Sequence, residues 1–294
     1  MEDGVVLEIS SLKKRYGTHY ALKGIDFRFT EGVYGLLGPN GAGKSTLMNL
    51  ITDNLTAEEG SISFCGTPIG TLGESYLKEI GYMPQQQNLY RNFTGTRFLY
   101  YMAALKGLEK KEAARQITEL LKMVNLTEAA DQKIGTYSGG MKQRILIAQA
   151  LLGNPRIVVM DEPTAGLDPK ERIRIRNIIS QASFQKIIIV ATHVVSDIEF
   201  ISKEILLLKK GEIVEHGAPE ELLHLVDGKL YEVETDLAGL SRLEQSYQIV
   251  NVSKSYDTVT VRLLCEKPPE GYVLSVPKAN LEDVYLYRFC EEEK

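Results

Sequence analysis

Nine consecutive residues, Gly38-Pro39-Asn40-Gly41-Ala42-Gly43-Lys44-Ser45-Thr46, fit the pattern G-x-x-x-x-G-K-[ST]. Their chemistry is that of an anion cradle. The glycines let the backbone curl until several N–H groups face one point. Lys44 is long enough to reach the β- and γ-phosphates of a nucleotide, and Ser45 offers its hydroxyl to Mg²⁺. A second group is acidic: Asp161 and Glu162 directly follow the apolar run 157–160. Beside a phosphate cradle, Asp161 suits Mg²⁺, and Glu162 suits the water that attacks the γ-phosphate. Thr192-His193 ends another apolar run, 186–191. There a γ-phosphate contact is favoured over a purely structural histidine. Tyr137-Ser138-Gly139-Gly140-Met141-Lys142-Gln143-Arg144 opens a helix, with Ser138 as its N-cap and glycines that bare the terminal N–H groups. This is a second anion site without a lysine of its own. One nucleotide has no use for two cradles in one chain, so a second subunit is expected to use this one.

These groups need elements that end at them. Residues 32–37 are a continuous apolar run and predict a buried strand into the cradle; residues 47–51 predict the helix out of it. Residues 5–9 and 21–29 alternate and predict an antiparallel β region, with a turn over 13–17 between them. Two short strands follow, at 60–66 and 79–83. The pattern then turns helical, over 94–106, 110–124 and 138–152, a helical insertion spanning about 86–153. Residues 157–160 and 186–191 read as parallel strands buried on both faces. Between them, 169–182 is a helix with Pro169 in its first turn. A hairpin over 205–215 and a short helix over 219–226 close this part. Beyond Gly228 four alternating segments (230–235, 247–252, 258–264, 272–276) and a helix over 279–289 predict a small α+β appendage. The domain boundaries expected are 1–226 and 227–294.

Composition sets outer limits. The 294 residues are 44% apolar and 25% charged, enough for a sizeable core, and the net charge is −5. With no long basic tract, nucleic acid is not expected as a partner. Cys65, Cys265 and Cys290 have no metal-like spacing and read as thiols of a reducing compartment. The start, Met1-Glu2-Asp3-Gly4, carries no signal-peptide pattern. No apolar run approaches the ~20 residues of a membrane span, so work at a membrane calls for another chain that crosses it.

Taken together, residues 38–46, Tyr82-Met83-Pro84-Gln85, 137–144, 157–163, Ala165-Gly166-Leu167-Asp168 and Thr192-His193, in that order, resemble the ATPase subunit of an ATP-binding cassette (ABC) transporter. The resemblance covers nearly all of residues 5–226. It implies an α/β fold: a P-loop NTPase core with an antiparallel β subdomain and a helical insertion, here with the small C-terminal α+β appendage. It also implies roles. Gln85 links Mg²⁺ and water to the membrane partner. Residues 138–141 are the signature loop, Asp168 sits at the dimer interface, and His193 is the switch histidine. Tyr16 occupies the place of the aromatic that stacks on adenine; its alternative is a surface tyrosine beside Lys13, Lys14 and Arg15. The signature departs from Leu-Ser-Gly-Gly-Gln by reading Tyr137-Ser138-Gly139-Gly140-Met141, which keeps the serine and both glycines. Met141, and the tail over 280–286, resemble exporters whose ATPase and membrane parts are separate chains.

The expectation is therefore an ATPase at the cytoplasmic face of the cell membrane. It uses ATP and Mg²⁺, pairs head to tail with a second ATPase subunit, and drives export through a transmembrane permease subunit. Aromatic residues between 85 and 101 (Tyr90, Phe93, Phe98, Tyr100, Tyr101) read either as the docking patch for that permease or as ordinary packing. The rival readings are a soluble cassette ATPase acting on DNA or ribosomes, disfavoured by the single cassette and negative charge, and a generic P-loop kinase.

Overall fold

The computed structural model describes residues 4–85, 89–255 and 258–289. Met1-Glu2-Asp3, the first residues of the expected insertion (86–88) and Cys290 lie outside these. The chain divides into two compact units, residues 1–216 and 217–294. The expected boundary after residue 226 falls inside the second unit.

In the first unit the elements run β1 (Leu7–Tyr16), β2 (His19–Phe29), β3 (Gly32–Leu37), α1 (Lys44–Ile51), β4 (Glu59–Phe64), β5 (Thr67–Pro68), α2 (Ile69–Leu72), α3 (Glu74–Lys78) and β6 (Ile80–Met83). Then come α4 (Gly95–Leu105), α5 (Lys110–Met123), α6 (Gly139–Leu151), β7 (Ile157–Asp161), α7 (Pro169–Ala182), β8 (Ile187–Ala191), β9 (Glu204–Lys209) and β10 (Glu212–Gly217). Six strands form the central sheet in the order β10-β9-β3-β8-β7-β6. From β9 to β6 all pairings are parallel. β7 and β8 are buried throughout their apolar residues. That is why they read as unbroken Ile/Val runs rather than alternating ones. Each such side chain contributes about 1.5–3 kcal/mol.

A second, antiparallel sheet has the order β2-β1-β4-β5. Its inward residues Leu7, Ile9, Ile25 and Phe29 join one core with Met48 and Leu50 of α1 and Ile189 of β8. The turn expected over 13–17 is shorter: β1 continues to Tyr16 and pairs it with His19. A register shift after Ile9 lets the strand continue. There Ser11 takes a left-handed φ of 47°, and its N–H donates to Asp26 Oδ1 at 2.7 Å. The three long helices of the insertion appear where the periodicity placed them. Thr94 caps α4 and Ser138 caps α6, each accepting the N–H three residues on.

The second unit holds α8 (Pro219–Leu223), β11 (Leu230–Thr235), α9 (Leu237–Ser246), β12 (Gln248–Ser255), β13 (Thr258–Leu264), β14 (Leu274–Ser275) and α10 (Leu281–Phe289). Its sheet order is β12-β13-β11-β14, all antiparallel. Its core is Val233, Leu243, Val259, Val261 and Leu263. Helix α9 was not expected, and the expected strand over 272–276 shrinks to two residues. Arg262 fastens the unit internally, reaching Glu232 at 3.1 Å and the buried Asp283 at 2.6 Å.

Candidate nucleotide site

The cradle is the turn between β3 and α1. Gly43 is the residue before α1 and has φ +109°. A Cβ there would also stand 2.6 Å from the Ala21 carbonyl oxygen, so glycine is required on both counts. Helix α1 starts at Lys44, which puts its unpaired N–H groups at the cradle. Lys44 folds back over the turn, its Nζ donating to the carbonyls of Gly38 (2.5 Å) and Pro39 (3.1 Å). Burial pushes the Lys44 ammonium below its ordinary pKa, and the nearby Glu162 and Asp161 carboxylates pull it back up.

Around this turn lies a cleft of about 280 Å³ lined by Tyr16, His19, Ala21, residues 39–46, Gln85, Asp161 and Glu162. Distant stretches of sequence converge here because β3, β6 and β7 all end on the same edge of the parallel sheet. Tyr16 is half exposed at the rim, with Lys14 Nζ 5.9 Å from its ring centroid. His19 and Ala21 were not expected. They arrive through the β1–β2 pairing, which no local motif signals. Gly38 stands at the end of β3, just outside the lining.

Asp161 is the last residue of β7. Burial raises its pKa, the Glu162 carboxylate adds to the rise, and Lys44 opposes it. Two neighbouring carboxylates and the Ser45 hydroxyl on one cleft are hard-oxygen donors of the type that suits a divalent cation. Among the described residues no three His, Cys, Asp or Glu side chains gather to hold a metal alone. Ser45, Asp161 and Gln85 fit Mg²⁺ of the kind that takes its remaining ligands from phosphate and water.

Glu162 is buried and has a left-handed φ of 51°, a strained setting for a residue with a side chain. Its N–H donates to the Ala191 carbonyl at 2.8 Å. Its carboxylate accepts from Thr192 Oγ1 (3.1 Å) and the His193 N–H (3.1 Å), and it lies 2.6 Å from His193 Nδ1. His193 thus faces Glu162 and is not among the residues lining the cleft. Thr192, fully buried, was noted only as the neighbour of His193.

Ser138, Gly139 and Gly140 do not line the cleft either. Ser138 and Gly139 are exposed at the start of α6, where Ser138 Oγ accepts the Met141 N–H at 3.2 Å. Asp168 is exposed and caps α7 by accepting the Glu171 N–H at 3.0 Å. Of the aromatic group, Phe98 is fully buried. Tyr90, Tyr100 and Tyr101 are exposed, and Tyr90 stacks on Phe93 with centroids 5.0 Å apart.

Strand, glycine turn, lysine-headed helix and acidic strand end define a P-loop nucleotide hydrolase. Residues 22–165 match the ABC transporter family. The chain is 36% identical over 225 residues to the linearmycin resistance ATP-binding protein LnrL of Bacillus subtilis (strain 168), covering 76% of this chain and 72% of that one. It is 31% identical over 293 residues to the Nod factor export ATP-binding protein I of Burkholderia orbicola (strain AU 1054), covering 95% of each. That second similarity runs on past residue 216. Among solved structures, an ATP-binding cassette captured as a dimer in a post-hydrolysis state with ADP and Pi superposes with a TM-score of 0.64 at 28% identity. The match covers 72% of this chain and 98% of that one. The chain belongs to the ATP-binding subunits of ABC transporters and is an ATPase of that family.

Proposed function

We propose that this chain is the ATP-hydrolysing subunit of an exporter whose membrane-crossing part is a separate permease, and that it works as a head-to-tail pair at the cytoplasmic face of the membrane. One observation carries the reading. The cleft gathers Lys44, Ser45, Gln85, Asp161 and Glu162, while Ser138, Gly139 and Gly140, the first two of them exposed, are not among its lining residues. A second chain is the economical source of the missing wall. Three further observations agree. The similar cassette was solved as a dimer. The relatives are named for export and resistance. No helix among the described residues is long and apolar enough to span a bilayer. The exposed Tyr90, Tyr100 and Tyr101 are the surface assigned to the permease.

The mechanism follows from the chain's own groups. On nucleotide binding, Lys44 exchanges the Gly38 and Pro39 carbonyls for β- and γ-phosphate oxygens. The N–H groups at the start of α1 face the same anion. Tyr16 stacks on the base at the rim. Ser45, Asp161 and Gln85 would hold Mg²⁺, and its charge would offset that developing on the phosphates. His193 leaves Glu162 Oε1 and turns its imidazole to the γ-phosphate. Glu162 then accepts a proton from the attacking water as the β–γ bridging P–O bond breaks. The partner's signature N–H groups and Asp168 complete the enclosure and exclude solvent. Reopening after hydrolysis is the motion passed to the permease.

Glu162→Gln tests the assignment. It should keep ATP affinity, lower turnover by about 10²–10⁴-fold, and accumulate as a dimer in gel filtration only with ATP. Near-normal turnover would remove Glu162 from the mechanism. A chain that binds ATP and stays monomeric would remove the paired site.

A further inference from the structure

Glu171 stands where the two segments assigned to the partner's site come together. It is the third residue of α7, and its own N–H is the one that Asp168 caps. Its side chain runs back towards α6. A Cβ on Gly140 would overlap the Glu171 carboxyl group, with Cδ at 2.8 Å and Cγ at 2.9 Å. Gly140 has no positive φ, so a side chain there would be resisted only by the Glu171 side chain, which would have to move. The carboxylate accepts from Arg174 Nη1 at 2.5 Å and faces Arg144 Nε at 3.4 Å. Arg144, buried on α6, also donates from Nη1 to the carbonyls of Val124 (2.8 Å) and Asn125 (2.7 Å), where α5 ends. The contact between Arg144 Nε and Glu171 Oε2 lacks hydrogen-bond geometry, and neither atom has a hydrogen-bond partner in the described structure. The pair is held by charge and by packing against Gly140 rather than by a hydrogen bond. Burial lowers the Arg144 guanidinium's hold on its proton, and Glu171 is the charge that counters it.

We propose that Glu171 is a positioning residue that fixes the Ser138–Gly140 cradle and Asp168 in one relation, so that both reach the partner's nucleotide as a single piece. The inference rests on the paired-site reading above. Its consequence is unusual for a half-buried charge. Removing the Glu171 carboxylate should leave the nucleotide cleft of its own chain intact, because Glu171 is not among the residues lining it. The damage should appear in the site completed by the partner.

The test uses the full chain with Glu162→Gln as parent and ATP as ligand. Addition of Glu171→Ala should leave ATP affinity of the isolated chain within twofold and weaken ATP-driven pairing at least tenfold. Should Glu171→Ala not fold, Glu171→Gln keeps the volume against Gly140 but loses the charge. It should keep ATP affinity and weaken pairing at least threefold. Unchanged pairing, or lost ATP affinity in a folded variant, overturns the proposal. Steric coupling supplies a readout that a general loss of stability would not move. Gly140→Ala should impair pairing less in the Glu171→Ala chain than in the parent, since its methyl then has room. Strictly additive effects overturn the assignment. If the parent itself fails to pair with ATP, the paired-site reading falls and takes this one with it. If the parent pairs and Glu171→Ala pairs equally, only this one falls.

Discussion

At the scale of single residues, the site holds its charges against one another. Glu162 has a strained backbone and a carboxylate occupied by three donors, so its readiness depends on those donors letting go. Thr192 is the buried one among them: its hydroxyl donates to Glu162 Oε2 and accepts the Val194 N–H at 3.0 Å, so its single proton is committed to the carboxylate. Thr192→Val should therefore lower turnover about tenfold by releasing that oxygen, an effect in the range of one hydrogen bond to a charged group. ATP affinity should hold, and Thr192→Ser should restore turnover. A phosphate-release assay beside a nucleotide titration decides it; equal rates for Val and Thr would mean that Thr192 merely packs. The groups legible in the sequence at this scale were those whose chemistry sits in consecutive residues, such as 38–46 and 161–162. His19, Ala21 and Glu171 were not legible, nor were the contacts of Arg144, because strand pairing and helix packing bring them to their places.

At the scale of elements, the helical insertion is joined to itself by a half-buried cation. Lys106, at the end of α4, donates to the Leu152 carbonyl at 2.6 Å, where α6 ends. Burial lowers its pKa to about 8, and no carboxylate acts against that shift. The sign follows directly. Unfolded, Lys106 keeps its proton up to pH 10.5. Between about pH 8 and 10.5 the unfolded chain holds more protons than the folded one, so this residue makes stability rise with pH. Below pH 8 the half-buried charge is a constant cost. Relative to Lys106→Met, the wild type should gain about 2 kcal/mol from pH 8 to pH 10 in denaturant unfolding. A difference flat across that range would contradict the half-buried ammonium. The elements themselves were mostly readable, because the strands 157–160 and 186–191 and the helices capped by Thr94 and Ser138 carry strong local signals. Helix α9 was missed. Its signals were Asp236 as cap and Leu237, Leu240 and Leu243 at helical spacing. The alternating strands on both sides masked them. Turn length also escaped, since the shift at Ser11 is a property of two strands, not one.

At the scale of the molecule, every residue assigned to nucleotide chemistry lies in the first unit, and the cores of the two units share no residue. Removing residues 217–294 should leave residues 1–216 binding ATP within about threefold of the full chain, the tolerance expected when a separate folding unit is lost. Isothermal titration of a folded truncation that no longer binds would show that the second unit supports the cleft. The paired site makes a sharper claim. Ser138→Arg should bind ATP and hydrolyse little of it, and Lys44→Ala should lose affinity. Mixed together, they form one site bearing both changes and one bearing neither. Activity in the mixture above either variant alone is the expected outcome. Full activity of Ser138→Arg by itself would end the claim.

The position of β3 in the central sheet has a consequence for how the chain is made. The strand that leads into the cradle pairs with β8, Gly32 opposite Ile187, and with β9, Tyr34 opposite Glu204. About 150 residues must therefore be synthesised after β3 before either neighbour exists, a wait on the order of ten seconds at ribosomal speed. Through that interval Val33, Leu36 and Leu37 have no central-sheet partner, while the insertion helices emerge with mostly local contacts to make. A growing chain halted before residue 187 should thus bind chaperones through β3 and fail to retain ATP, whereas one halted after β9 has cleared the ribosome should retain it. The nucleotide cleft begins early in the chain and is among the last things the chain can finish.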